Sequence, residues 1–70
     1  MAHAIYVRDI GQTRVSAPRL LAYDIACIHA AKRLITGIIQ TYSNKGIDPI
    51  SDVNWYCDAD GLHELWVAPI

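Results

Sequence analysis

The chain has 70 residues, of which 53% are hydrophobic, and a formal net charge of −1 at pH 7. This composition excludes intrinsic disorder, and the length predicts one domain over residues 1–70 with a small core. No apolar run approaches the roughly 20 residues of a membrane-spanning helix, so we expect no membrane segment. Because a core of this size is marginally stable alone, a homodimer is one of the expected states.

The charges are divided along the chain. All six Lys and Arg residues lie in the first 45 residues, which carry +4, whereas the last 25 residues carry −5. Each part can therefore steer a partner of the opposite charge.

The two cysteines, Cys27 and Cys57, lie within apolar patterns, and no signal peptide precedes them. Such usage is typical of a reducing compartment. We expect a cytoplasmic protein in which both thiols are reduced and face inward.

The first predicted element is a strand over residues 4–10, where β-formers alternate between two faces. Ile5 and Val7 are expected to face the core. Gly11 and Gln12 then form a turn.

A long helix is predicted from about Ala17 to Asn44, because the apolar residues of this segment share one arc at 100° per residue. Ser16 can cap its start, and Gly46 can adopt the left-handed conformation that ends a helix. The alternative is a helix that stops at Gly37 and a strand over residues 38–42. The continuity of the arc favours one helix, bent at most at Gly37.

One carboxylate, Asp24, falls within the apolar arc of this predicted helix. A buried carboxylate needs a partner. We expect Arg8 or Arg14 to pair with Asp24 inside the fold, and the alternative is a pair across a dimer interface.

A hairpin is predicted near the end of the chain, with its turn at residues 58–61. A type I turn with a left-handed Gly61 makes Asp58 and Leu62 the closing pair. This register assigns one face of the hairpin to the core. The residues of that face are Val53, Trp55, Cys57, His63, Leu65 and Val67.

The other face of the predicted hairpin is the candidate partner-binding surface. Its residues, together with the turn, are Tyr56, Asp58, Asp60, Leu62, Glu64 and Trp66. Exposed aromatic residues are typical of protein-binding sites. The surrounding carboxylates can imitate a phosphate backbone and would suit a basic groove on a nucleic-acid-handling protein.

Together these elements predict an α+β domain of order β-α-β-β, in which a three-stranded antiparallel sheet packs on one long helix. The first strand is expected beside the last, which leaves the first strand of the hairpin at an edge.

Signals for catalysis or metal binding are weak. Residues 58–61 resemble the start of a calcium loop, but the later oxygen ligands are missing, and the His and Cys residues lack paired zinc spacing. Cys57 beside His63 is the one nucleophile and base pair that the register offers, and it is typical of core packing. We therefore expect no enzyme, no cofactor and no metal.

A second candidate surface lies on the polar side of the predicted helix. Its basic residues are Arg19, His29, Lys32 and Arg33. They can contact phosphate, but no aromatic residue lies among them, so direct nucleic-acid binding is not the expected main function.

In size, in β-α-β-β layout and in the acidic hairpin from Asp58 to Glu64, the whole chain resembles the small phage-encoded anti-CRISPR proteins, with which it shares no sequence motif. The resemblance implies a viral protein of host defence evasion. It would act in the host bacterial cytoplasm as an inhibitor that docks on a CRISPR effector complex. There it would block nucleic-acid access sterically or by charge mimicry.

Two other functions remain open. One is a homodimeric bacterial accessory or antitoxin-like protein whose aromatic sheet face packs on itself. The other is a weak nucleic-acid binder that uses the basic helix face.

Overall fold

In the computed structural model, which describes residues 2–11 and 14–70, these two ranges form one five-stranded sheet and one helix. The elements are β1 (His3–Ile10), β2 (Arg19–Ile25), α1 (Ile28–Ile39), β3 (Lys45–Ile47), β4 (Asn54–Asp58) and β5 (Gly61–Pro69). The strand order is β2-β1-β5-β4-β3, and every neighbouring pair is antiparallel.

The predicted three-stranded sheet on a long helix is therefore wrong. Its central strand order was right, because β1 lies beside β5 and β5 lies beside β4. The two outer strands, β2 and β3, were missed. Because β3 pairs with β4, the first strand of the hairpin is not the edge strand that was predicted.

The segment that the apolar arc assigned to the first half of the helix is strand β2. The chain reverses after β1, where the backbone N–H of Gly11 donates to the carbonyl of Arg14 at 2.8 Å. Ser16 does not cap a helix, because its Oγ accepts a hydrogen bond from the backbone N–H of Asp9 at 2.9 Å. Pairing with β2 satisfies backbone groups of β1 that would otherwise lie at a sheet edge. The predicted turn residue Gln12 lies outside the described residues.

Strand β2 pairs irregularly with β1, with register shifts between His3 and Ile5 and between Ile5 and Tyr6. Asp24 lies in the first irregularity and has φ 61°, a conformation that Asp adopts more readily than most residues. Its side chain is exposed, so the expected burial of Asp24 beside Arg8 or Arg14 is wrong.

The helix α1 spans 12 residues and continues through Gly37, as the apolar arc predicted. It ends at Ile39, however, so residues 38–39 are helical and residues 40–44 are not. In the described ranges, 2–11 and 14–70, no helix is long and apolar enough to cross a membrane.

The core lies between α1 and one face of the sheet. Ala31, Ile35 and Ile39 recur every four residues and form the buried side of the helix. The core cluster consists of Ile5, Val7, Ala31, Ile35, Ile39 and Leu65. Ile5 and Val7 face inward as predicted.

The two cysteines are free thiols, and neither belongs to this core. Cys27 is exposed just before α1, so its predicted inward orientation is wrong. Cys57 is half-buried and lies on the sheet face away from α1, so its predicted orientation toward the core is wrong as well.

Candidate protein-binding face

The register of the β4–β5 hairpin decides which side chains lie together. Asp58 pairs with Gly61, so the turn contains two residues rather than the three that were predicted. The Asp58 side chain stabilises this turn by accepting a hydrogen bond from the backbone N–H of Asp60 at 2.9 Å.

The position of Gly61 also favours this register. Gly61 has φ 127°, and a Cβ at this position would lie 2.9 Å from the carbonyl oxygen of Ile10. Only glycine allows β1 to approach β5 this closely at the turn. The predicted register is wrong by one residue, and this error exchanges the two faces of β4.

The candidate binding residues are consequently divided between the two faces of the sheet. Tyr56 pairs with His63 and lies on the helix side, as does Asp58. Leu62, Glu64 and Trp66 lie on the side that faces away from the helix. Asp60 lies in the turn.

We name the sheet face opposite α1 the open face. Directly paired residues of antiparallel strands point to the same side, and the pairing of β1, β2, β4 and β5 therefore defines its members. They are Ala4, Tyr6, Arg8, Ile10, Leu20, Trp55, Cys57, Leu62, Glu64, Trp66 and Ala68. In the described part of the chain no secondary-structure element covers this face, and Arg8 and Glu64 are the only charged residues among the members just named.

The side chains of the open face form rows across the sheet. Tyr6 pairs with Trp66, and their rings stack with centroids 6.2 Å apart and planes at 21°. Arg8 pairs with Glu64 in the next row, and its Nε donates to Glu64 Oε1 at 3.1 Å. Trp55 lies on the other side of Glu64 in the same row.

Neighbouring side chains hold the aromatic rings of the open face in place. The guanidinium carbon of Arg8 lies 5.9 Å from the centroid of the Trp66 ring, within the range of a cation–π interaction. Trp55 covers Gly46 so closely that a Cβ on Gly46 would lie 2.7 Å from Trp55 Cζ2. Gly46 therefore serves this contact, and the prediction that it caps a helix is wrong. Tyr6, Trp55 and Trp66 are each half-buried.

A cluster of polar residues lies on the helix side near the β4–β5 turn. Nδ1 of His63 lies 2.6 Å from Asp9 Oδ1, and Nε2 lies 2.9 Å from Asp58 Oδ1. Tyr56 stacks on the His63 ring at 4.7 Å and on Tyr42 at 4.0 Å. We name Asp9, Tyr56, Asp58 and His63 the histidine cluster.

The pKa values of the histidine cluster follow from these contacts. Burial alone lowers the pKa of His63, but hydrogen bonds to Asp9 and Asp58 and their charges outweigh burial, so its pKa lies above 6.5. The bonds from His63 and the Asp60 backbone lower the pKa of Asp58. Burial, with a smaller effect of Tyr42, raises the pKa of Tyr56 to about 12.

Both ring nitrogens of His63 have partners within the histidine cluster. A general base needs a free ring nitrogen, and both nitrogens of His63 are held by carboxylates. Cys57 lies on the opposite face of the sheet, so the predicted neighbour pair of Cys57 and His63 does not form. Within residues 2–11 and 14–70, no group of three or more His, Cys, Asp or Glu residues could hold a metal ion.

The predicted basic surface is divided as well. Arg19 belongs to β2, where it lies 3.1 Å from Asp9 Oδ2, whereas His29, Lys32 and Arg33 belong to α1. Nζ of Lys32 lies 3.4 Å from Oδ2 of Asp52. The four residues therefore do not form one face of a helix, as was predicted.

Tyr6, Arg8 and Trp55 also belong to the open face, although they were not predicted among the candidate binding residues. The alternation of β1 could have predicted two of them. Because Ile5 and Val7 face the core, Tyr6 and Arg8 must point to the opposite face of the sheet. Trp55 was assigned to the core by the wrong hairpin register.

No protein family, curated protein or solved structure matches this chain. The open face and the histidine cluster are thus the features from which a function can be proposed.

Proposed function

We propose that this protein is a small protein-binding module and that the open face is its binding surface. The observation that carries this proposal is a sheet with a helix on one face and a largely apolar second face. Sheets are stable when their apolar faces are buried against another layer. A half-buried surface with two Trp residues and one Tyr residue is typical of the centre of a protein interface.

The size of the open face suits this function. Five strands at about 4.8 Å spacing, with about six residues each at about 3.3 Å, outline on the order of 500 Å². Side-chain relief raises the accessible area above this flat value. A standard interface takes about 800 Å² from each partner and a weak or transient one less than about 600 Å², so the size of this face matches an interface at the small end of the range.

The charge of the open face favours a protein over a nucleic acid. Sheets that bind single strands combine aromatic rings with a positively charged groove. Among the described residues assigned to the face, Arg8 is the only cation, and Glu64 pairs with it. Tyr6 and Trp66 stack on each other, so each presents only one ring face to a ligand.

The narrower prediction of an inhibitor that docks on a CRISPR effector complex stays a prediction. Its charge-mimicry form receives less support, because three carboxylates of the acidic region have partners. Asp52 lies beside Lys32, Asp58 bonds His63, and Glu64 bonds Arg8. Steric occlusion through the open face is the form that the geometry supports better, and the homodimer alternative would use the same face.

The test is a lysine substitution in the open face. Leu62→Lys places a charge in the row of Ile10 and Cys57 and should abolish association. Ile50→Lys is the matched control, because Ile50 is 95% exposed in a loop outside the face. The wild type and the two variants are immobilised separately. Each is exposed either to a bacterial lysate or to free wild-type protein, and the captured proteins are quantified by mass spectrometry.

The expected result is that every partner bound by the wild type is retained by Ile50→Lys and lost by Leu62→Lys. Far-ultraviolet circular dichroism must show the same folded spectrum for all three proteins. Equal capture by both variants would show that the open face does not bind protein.

A further inference from the structure

Resting on the proposed function, we propose that the partner of the open face is a second copy of this chain, related by a two-fold axis that runs parallel to the strands between β1 and β5. The two sheets would pack face to face as a sandwich. This arrangement follows from the order of residues in β1 and β5.

Residues that pair across β1 and β5 lie at the same level along the strands. A two-fold rotation about the proposed axis exchanges the positions of the two strands and keeps each level unchanged. Arg8 of one copy then lies over Glu64 of the second copy, and Tyr6 lies over Trp66 in the adjacent row. The four charges alternate in sign, so each has an opposite charge within its chain and another across the interface.

A two-fold axis that runs across the strands at the level of Arg8 and Glu64 gives the opposite result. It would place Arg8 over Arg8 and Glu64 over Glu64, so like charges would meet in a desolvated layer. The ion pair on the open face therefore favours the axis along the strands over an axis across them at this level.

The hydrogen-bonding capacity of the ion pair allows this second contact. Arg8 donates from Nε and from one terminal nitrogen to Glu64 Oε1, and the guanidinium has further donors. Among the described residues, no group donates to Glu64 Oε2. The Arg8 side chain is 40% exposed, so its remaining donors can reach a second copy.

The sheet edges are less suited to self-association than the open face. Strand β3 offers only three residues at one edge, and β2 at the other edge has two register shifts. Short and irregular edges oppose strand addition. Two open faces together bury on the order of 1,000 Å² or more, which reaches the lower limit of a biological interface.

The decisive experiment exchanges the two charges. The double variant Arg8→Glu with Glu64→Arg keeps an opposite pair within the chain and should form its own dimer. Wild type mixed with this variant should form few mixed dimers, because a mixed dimer would place two cations together and two anions together. Native mass spectrometry of isotope-labelled mixtures measures the fraction of mixed dimers.

Single variants provide the converse test. Arg8→Glu and Glu64→Arg alone should each weaken self-association at least about 10-fold, whereas their mixture should form a heterodimer. Lys32→Glu is the matched control on the helix side, because Lys32 pairs with Asp52 outside the open face. This control should leave the dimer mass unchanged in sedimentation measurements.

The outcomes separate this inference from the proposed function. A monomeric wild type, or free mixing with the exchanged variant, would overturn the two-fold dimer. If the wild type is monomeric yet binds another protein in a manner that Leu62→Lys abolishes, only the second copy is wrong. If a dimer forms and neither Leu62→Lys nor Arg8→Glu affects it, the dimer does not use the open face and the second copy is wrong. The proposed function fails as well if Leu62→Lys and Ile50→Lys capture the same proteins.

Discussion

His63 on β5 and Asp9 on β1 are directly paired across the centre of the sheet, with Nδ1 and Oδ1 2.6 Å apart. The other ring nitrogen reaches Asp58 on β4. One imidazole ring therefore joins three adjacent strands beside the β4–β5 turn, and only the imidazolium can donate to both carboxylates.

The first prediction is that stability falls as the pH rises through neutrality. The pKa of His63 is raised above 6.5 in the folded protein, so its contribution is fully present below that pH and is lost as the pH rises through the folded value. Urea denaturation between about pH 6 and pH 9 should show this loss. The variant His63→Gln should be less stable at the acid end and should lose this dependence. Constant wild-type stability over the range would contradict the role given to His63.

The second prediction concerns the contact between Gly46 and Trp55. Gly46→Ala should cost about 1–3 kcal/mol in the free energy of unfolding, because its Cβ would overlap the Trp55 ring. The displaced ring should also change the tryptophan fluorescence of the folded protein. Gly37→Ala is the matched control, since nothing lies within 4 Å of a Cβ there and alanine should stabilise the helix by about 0.5–1 kcal/mol. Equal effects of the two substitutions would exclude this contact.

The third prediction compares adjacent residues of α1. Ile35 is 1% exposed in the core, so Ile35→Ala should lower the free energy of unfolding by about 2–5 kcal/mol. Leu34 is 49% exposed, so Leu34→Ala should cost well under half as much. Chemical denaturation monitored by circular dichroism measures both. A larger loss for Leu34→Ala would mean that the helix presents a different side to the sheet.

The fourth prediction concerns thiol reactivity. Cys27 is exposed and Cys57 is half-buried on the open face, so a thiol reagent should label Cys27 first in the native protein. The labelling reaction should have a fast and a slow phase, and the variants Cys27→Ser and Cys57→Ser show which cysteine reacts in each phase. Labelling of Cys57 should slow further as the protein concentration rises, because a covered open face shields it. Faster labelling of Cys57 than of Cys27 would contradict the described burial.

Local sequence patterns were sufficient for part of the fold. Alternation identified β1, a turn between two β-rich segments identified β4 and β5, and helical periodicity correctly carried α1 through Gly37. The same patterns placed Leu62, Glu64 and Trp66 on one face, because their spacing of two within a single strand does not depend on the partner strand.

Tertiary contacts decided the rest. Residues 19–25 have apolar spacing that suits either a helix or a strand, and only pairing with β1 selects the strand. The segment at residues 58–61 suits a turn of two or three residues. The shorter turn is favoured by contacts across the sheet, namely the approach of Gly61 to Ile10 and the bonds that His63 makes to Asp9 and Asp58. Side chains of a strand point alternately to the two faces of the sheet. The one-residue difference between the predicted and the observed register therefore places Tyr56 on the helix side and Trp55 on the open face.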